Sequence, residues 1–225
     1  MADQVVVLGG WGVDTDVLRP VFGDDARYID TTALLPHLVT CNTIHPDWPV
    51  ITARILEPYR SPGFVLAGWS TGALLAYGAA PFLSPSRLQL ASATLSFCRT
   101  ASFRHGMRPS VIAAMKYRLK STPQNVLDEF SVNCGFPEKT SQKKNIRNTT
   151  ALVDGLTFLE QAQLGAQPVP ECRITMLHGN RDRIIPPEAG RIMSSHCGAG
   201  FTLLEGPHAC FINNIEKMKT ILATK

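Results

Sequence analysis

Short apolar runs rich in β-branched and aromatic residues recur along the chain at Val5 to Leu8, Tyr28 to Ile29, Phe64 to Ala67, Leu88 to Phe97, Ile174 to Leu177 and Phe201 to Leu204. Each reads as a buried strand. Between them lie helix-like stretches, Val50 to Leu56, Ala73 to Ala80, Pro187 to Met193 and Cys210 to Leu222, several introduced by Ser, Thr or Pro near the expected caps. This alternation predicts a mostly parallel twisted sheet with helices on both faces, an arrangement that gathers ligands at the carboxyl ends of the strands.

From Arg99 to Leu164 the strand rhythm stops, and helix-compatible patches take over at Ser110 to Leu119, Pro123 to Phe130 and Ala151 to Leu164. A turn-rich link containing Gly165, Pro168 and Pro170 then leads back into the strand pattern. The expectation is a single core built from 1–98 and 165–225, interrupted by a helical lid over 99–164.

With 225 residues, 44% of them apolar and 18% charged, the chain has the balance of a soluble globular protein large enough for one substantial core. No apolar run approaches the ~20 residues needed to cross a bilayer, and the start of the chain carries neither a charged leader nor a signal-peptide core. Six cysteines are scattered without metal-ligand spacing, as free thiols in a reducing compartment would be. The expectations are a cytoplasmic monomer without membrane or nucleic-acid partners, without metal and without cofactor. Charge is distributed unevenly. Arg99 to Thr150 holds ten basic residues (Arg99, Arg104, Arg108, Lys116, Arg118, Lys120, Lys139, Lys143, Lys144, Arg147) against three acidic ones (Asp128, Glu129, Glu138), a surplus of +7 in a chain of net +4.

The sharpest chemical signal is Gly68-Trp69-Ser70-Thr71-Gly72, a GxSxG pentapeptide between the apolar run ending at Ala67 and the helix-forming residues from Ala73. In a strand-turn-helix bend this tight, side chains at positions 68 and 72 would collide, whereas glycine leaves room and Ser70 is presented as a nucleophile. A helix merely N-capped by Ser70 would explain the serine alone. The partners, however, follow in the order this fold uses. Asp182 lies on the loop after the strand ending near Leu177, and His208 on the loop after the strand ending near Leu204. Asp154 and Glu205 remain alternative acids. His178, just before the Gly179-Asn180 turn, suits a structural hydrogen bond near the acid. His37, His45, His105 and His196 lack a strand-end position and read as surface or loop residues.

An acyl-transfer site also needs donors for the tetrahedral oxyanion. The N–H of Thr71, after the nucleophile, is one candidate, and Trp11 in Gly9-Gly10-Trp11-Gly12 is the other. A glycine-rich loop after a first strand could instead cradle a dinucleotide. Its spacing is not GxGxxG, and that reading leaves Ser70, Asp182 and His208 unexplained.

On these residues the chain resembles the α/β-hydrolase family over nearly its whole length. Within it, the chain is most similar to the carboxylesterases of biotin synthesis that demethylate pimeloyl-acyl-carrier-protein methyl ester. GGWG stands at that family's oxyanion loop, GWSTG at its elbow, GNRDRIIPP at the acid loop and GPHACF at the histidine loop. The stretches Asp128 to Gly135 and Leu152 to Leu159 resemble its lid. The resemblance implies an acyl site lined by Trp11, Thr71 and Phe130 beside Ser70 and His208. Two departures, a first strand that starts almost at the beginning of the chain and Gly9-Gly10 where His-Gly is frequent, lead us to expect a shortened core and an altered pocket. The basic lid suits an acidic acyl carrier protein, with Arg104, Arg108, Lys116, Arg118 and Lys120 as expected contacts, although such charges also serve as ordinary solvated helix faces. The competing readings are a thioesterase or acyltransferase using the same triad, and a non-catalytic receptor or scaffold built on the same fold.

Overall fold

The computed structural model describes residues 4–137 and 148–223. Of the basic segment read from the sequence, Glu138, Lys139, Lys143, Lys144 and Arg147 lie outside the described residues. In chain order the strands are β1 (Val5–Leu8), β2 (Arg27–Ile29), β3 (Val39–Thr40), β4 (Thr43–Ile44), β5 (Val65–Trp69), β6 (Arg87–Ala91), β7 (Arg173–Gly179) and β8 (Gly200–Leu204). The α-helices are α1 (Arg19–Phe22), α2 (Thr31–Leu34), α3 (Trp48–Leu56), α4 (Thr71–Leu83), α5 (Pro109–Leu119), α6 (Pro123–Cys134), α7 (Thr149–Gln161), α8 (Pro187–Cys197) and α9 (Ile215–Ala223).

Six strands form one sheet in the order β2-β1-β5-β6-β7-β8, and every pair in it is parallel. Parallel strands covered on both faces should be apolar throughout rather than alternating. β5 is buried at all five positions, whereas the edge strands β2 and β8 are largely half-exposed. Leu8 pairs with Gly68, Ala91 with Leu177 and Gly179 with Leu204. The loops after β1, β5, β6, β7 and β8 therefore emerge along one edge of the sheet.

The run Leu88 to Phe97 is not one long strand. β6 ends at Ala91 because Ser92 turns into the left-handed region (φ 48°) and sends its N–H to the Leu177 carbonyl at 2.8 Å. Single bridges, Ser96 to Gln163 and Cys98 to Met107, tether the segment beyond the turn. The β3–β4 hairpin escaped the sequence pattern, since its strands have two residues each. Its turn places both Cys41 (φ 50°) and Asn42 (φ 61°) at the positive φ that a two-residue primed turn needs. The stretch Cys210 to Leu222 is divided as well: a 3-10 turn over Cys210–Asn213 precedes α9, and the Asn214 amide donates to the carbonyls of Glu205 and Cys210.

Between β6 and β7 stand the three helices α5, α6 and α7, close to the spans expected from sequence. α7 is joined to the loop after β1 by the Trp11 indole, whose Nε1–H donates to the Leu152 carbonyl at 2.9 Å. α6 is joined at its end to the loop after β8, where the Ala209 N–H donates to the Cys134 carbonyl at 2.8 Å. Among the described residues no helix is long and apolar enough to cross a membrane.

Candidate active site

Ser70 sits between the last residue of β5 and the first of α4, with φ 57° and ψ −118°. A non-glycine residue held there costs ~1–3 kcal/mol and persists only where its surroundings impose it. Here they do: the Ser70 N–H donates to the Ala91 carbonyl, and the Ser70 carbonyl accepts from Ala73 and Leu74. The two flanking glycines serve different contacts. A Cβ on Gly68 would lie 2.3 Å from the Gly72 carbonyl oxygen, which is the expected clash within the turn. One on Gly72 would instead lie 2.3 Å from the Leu8 oxygen and 2.5 Å from that of Gly9, striking the neighbouring strand and its loop. Gly72→Ala should therefore force β1 and the Gly9–Gly12 loop away from α4. We expect a loss of about 3 kcal/mol, seen as a thermal midpoint lower by ~6–12 °C. A midpoint within a degree or two of the parent's would show that this contact is not tight.

Asp182 and His208 meet as the sequence order proposed. The His208 Nδ1–H donates to Asp182 Oδ2 at 2.7 Å, with both side chains wholly buried. Oδ1 of the same carboxylate accepts the backbone N–H groups of Ile184 and Ile185, each at 2.9 Å. Burial opposes the charged form of Asp182, but the electrostatic pull of the facing His208 and the hydrogen bonds from His178 and His208 outweigh it and hold the carboxyl well below the usual carboxylate range. Because Nδ1 carries the proton given to Asp182, Nε2 of His208 is left as the basic nitrogen, buried and without a hydrogen bond among the described residues. Ser70, 3% exposed, forms no hydrogen bond to His208 in this conformation, but its chain neighbour Trp69 packs on the imidazole with ring centroids 5.2 Å apart.

His178 takes the structural place expected of it. Its Nε2–H donates to the Ile185 carbonyl at 2.8 Å and lies 3.3 Å from Asp182 Oδ2, so Asp182 stands between two imidazoles. The alternative acids are elsewhere: Glu205 is paired with Arg181 at 3.0 Å on the surface, and Asp154 stands on α7. Burial raises the thiol of Cys134 far above its ordinary value and that of Cys210 to about 12, so neither neighbour of the site offers a thiolate.

The Gly9–Gly12 loop leads into a 3-10 turn and the four-residue α1, not into the long helix whose N-terminus would face a dinucleotide pyrophosphate. The Trp11 ring, 1% exposed, stands edge-on to Phe130 with centroids 5.0 Å apart. Both line a cavity of about 210 Å³ between α5, α6 and α7 and the sheet edge, whose other walls include Met107, Met115, Leu156 and Ile184. Ser70 and His208 are not among the lining residues, whereas Trp11, from the loop after β1, and Ile184, from the loop after β7, are. Thr71 does not line it either. Its side chain is fully buried. At the cavity's open side Arg118 holds Glu129 through two bonds of 2.6 and 2.7 Å, linking α5 to α6.

A family model described as the alpha/beta hydrolase family matches residues 5–217, and the chain belongs to that family. It is accordingly an enzyme of the hydrolase class. Among named relatives, the pimeloyl-[acyl-carrier protein] methyl ester esterase of Shewanella woodyi is 25% identical over 235 residues, covering 96% of this chain and 91% of that protein. Among solved structures, an esterase from Exiguobacterium antarcticum superposes with a TM-score of 0.77 at 18% identity, over 98% of this chain and 90% of its own. The type II thioesterase BorB of the borrelidin biosynthetic cluster does so at 0.65 and 18% identity, over 99% and 92%.

Proposed function

We propose that this protein is a serine carboxylesterase that hydrolyses the methyl ester of pimeloyl-acyl-carrier protein through an acyl-serine intermediate. The observation that carries the chemistry is the buried 2.7 Å Asp182–His208 pair at the sheet edge where Ser70 is held in its strained turn. The relative from Shewanella woodyi supports the substrate.

In this reading His208 Nε2 takes the Ser70 proton as the hydroxyl attacks the ester carbonyl, while Asp182 fixes the imidazole tautomer and stabilises its charge. The backbone N–H groups of Trp11 and Thr71 hold the oxyanion. Thr71 is suited to this because it opens α4, where the first amides have no acceptor within the helix. The imidazolium gives that proton to the departing methoxide, which leaves as methanol. The neutral imidazole then takes a proton from the water that attacks the acyl-serine and hands it to Ser70 Oγ as the acyl group leaves as the carboxylic acid, which ionises. The cavity, about 210 Å³ and walled mainly by apolar side chains, would take the acyl chain.

The basic face of α5 and the segment before it, part of the helical lid in this reading, would receive the acidic carrier. Of the five cations expected to do so, Lys116 is paired with Glu160 and Arg118 with Glu129, whereas Arg104, Arg108 and Lys120 are exposed. Docking is therefore assigned chiefly to those three. Reversing charge in Arg104→Glu/Arg108→Glu should raise KM for the carrier-linked methyl ester about tenfold at low salt and less at high salt, leaving a short free ester unaffected. Equal losses on both substrates would sink the docking assignment.

A thioesterase reading is favoured by one observation, the likeness to BorB across 99% of this chain. Side-by-side hydrolysis of the methyl ester and the thioester of one acyl carrier protein decides between them.

A further inference from the structure

The His208 main chain is held from two strands at once. Its carbonyl oxygen accepts from the Ser92 hydroxyl at 3.0 Å and from the Trp69 indole N–H at 3.2 Å, so both lone pairs are engaged. Ser92 follows β6 and Trp69 ends β5, directly before the nucleophile position. Ser92 is fully buried and stands at φ 48°, a conformation uncommon outside glycine, and its own N–H is fastened to the Leu177 carbonyl on β7. Trp69 is 1% exposed, edge-on to Phe136 and Phe211, with its six-membered ring against the backbone of Gly10.

We propose that Ser92 is a positioning residue for the general base. Its hydroxyl, with the Trp69 indole, locks the peptide plane of His208 and so fixes where Nε2 stands relative to Ser70. The Asp182 carboxylate sets the tautomer and the tilt of the ring, but one hydrogen bond to Nδ1 leaves the imidazole free to swing with its Cα. The two bonds to the carbonyl remove that freedom. The strained φ at 92 is then the conformation that brings a hydroxyl from the end of β6 to the histidine loop. This inference rests on the assignment of Ser70 and His208 as nucleophile and base.

The test compares Ser92→Ala and Ser92→Gly, which both lose the hydroxyl, although only glycine also relieves the positive φ. In each, kcat on a short activated ester and the rate of Ser70 labelling by a fluorophosphonate should fall about tenfold. That is short of the ~100-fold that a 1 Å misplacement brings. KM should stay at the parent value, and assays well below each variant's thermal midpoint keep stability out of the comparison. Parent-like kcat and labelling in either variant would overturn the role of the hydroxyl, as would a fall in which KM alone changed. Ser70→Ala in the same series separates the two layers. If that variant still turns over, the reading of the site itself fails; if it is inactive while Ser92→Ala matches the parent, only the present inference fails.

Discussion

Ser70→Ala should lose ester turnover by a factor on the order of 10⁶ in kcat and should take up no fluorophosphonate, while folding as the parent does. The fold should survive because the bonds that hold this turn are main-chain ones, to Ala91 on one side and from Ala73 and Leu74 on the other. The substitution removes a hydroxyl and leaves the backbone in place. The strain at φ 57° would remain in the alanine variant and be relieved in Ser70→Gly, so the glycine variant, equally inactive, should melt no lower than alanine. Turnover persisting in purified Ser70→Ala would remove the nucleophile from the mechanism. Loss of the fold in both variants would show that the side chain, not the turn, supports the structure.

Asp182→Asn should lower kcat by about 10⁴. The amide can still accept from Ile184 and Ile185 with its oxygen, but that presents an N–H₂ group to His208 Nδ1. The imidazole must then carry its proton on Nε2, which can no longer accept one from serine. A stability signature accompanies this loss. The folded protein holds the Asp182 carboxyl below its ordinary value, so it binds fewer protons there than the unfolded chain. The resulting stabilisation is complete well above the ordinary carboxylate value of about 3.9 and drains away as pH falls toward the lower folded-state value. The thermal midpoints of parent and Asp182→Asn should lie farthest apart near neutral pH and converge below about pH 4. A gap that does not change with pH would mean that ionisation of this carboxyl is not what the folded state favours.

The sheet and the helices of the insertion were legible because their apolar runs are long enough to carry a period and are bounded by turn residues. The site loops were legible for a different reason. Ser70, Asp182 and His208 each come three to five residues after the end of an apolar run, and parallel pairing puts all those run ends on one edge. What stayed hidden is tertiary. Nothing in the apolar run from Leu88 to Phe97 marks Ser92 as its end, because the turn is imposed by hydrogen bonds to Leu177 and His208 that are distant in sequence. The β3–β4 hairpin is too short for an alternating pattern and is completed from outside, with Ile44 N–H bonded to the Gln161 side chain and Gln161 bonded back to Asn42. Trp69 reads from sequence as an indifferent position within GxSxG. Its contacts with Gly10, His208 and Phe211 appear only once three loops are packed together. The pairing of Lys116 and Arg118 was likewise invisible to a count of charges.

Two of the described helices between β6 and β7 are anchored to loops of the candidate site, α7 through the Trp11 indole and α6 through the Cys134 carbonyl. Lifting either would drag on the loop after β1 or on the loop after β8. α5 is not joined to either loop by such a bond: it packs on the core through Ile112 and Leu119, and two ion pairs tie it to its neighbours, Arg118 with Glu129 and Lys116 with Glu160. An acidic partner that drew Lys116 and Arg118 away from their carboxylates would therefore cost α5 its surface ties while Ile112 and Leu119 kept it seated, and would pull on neither loop.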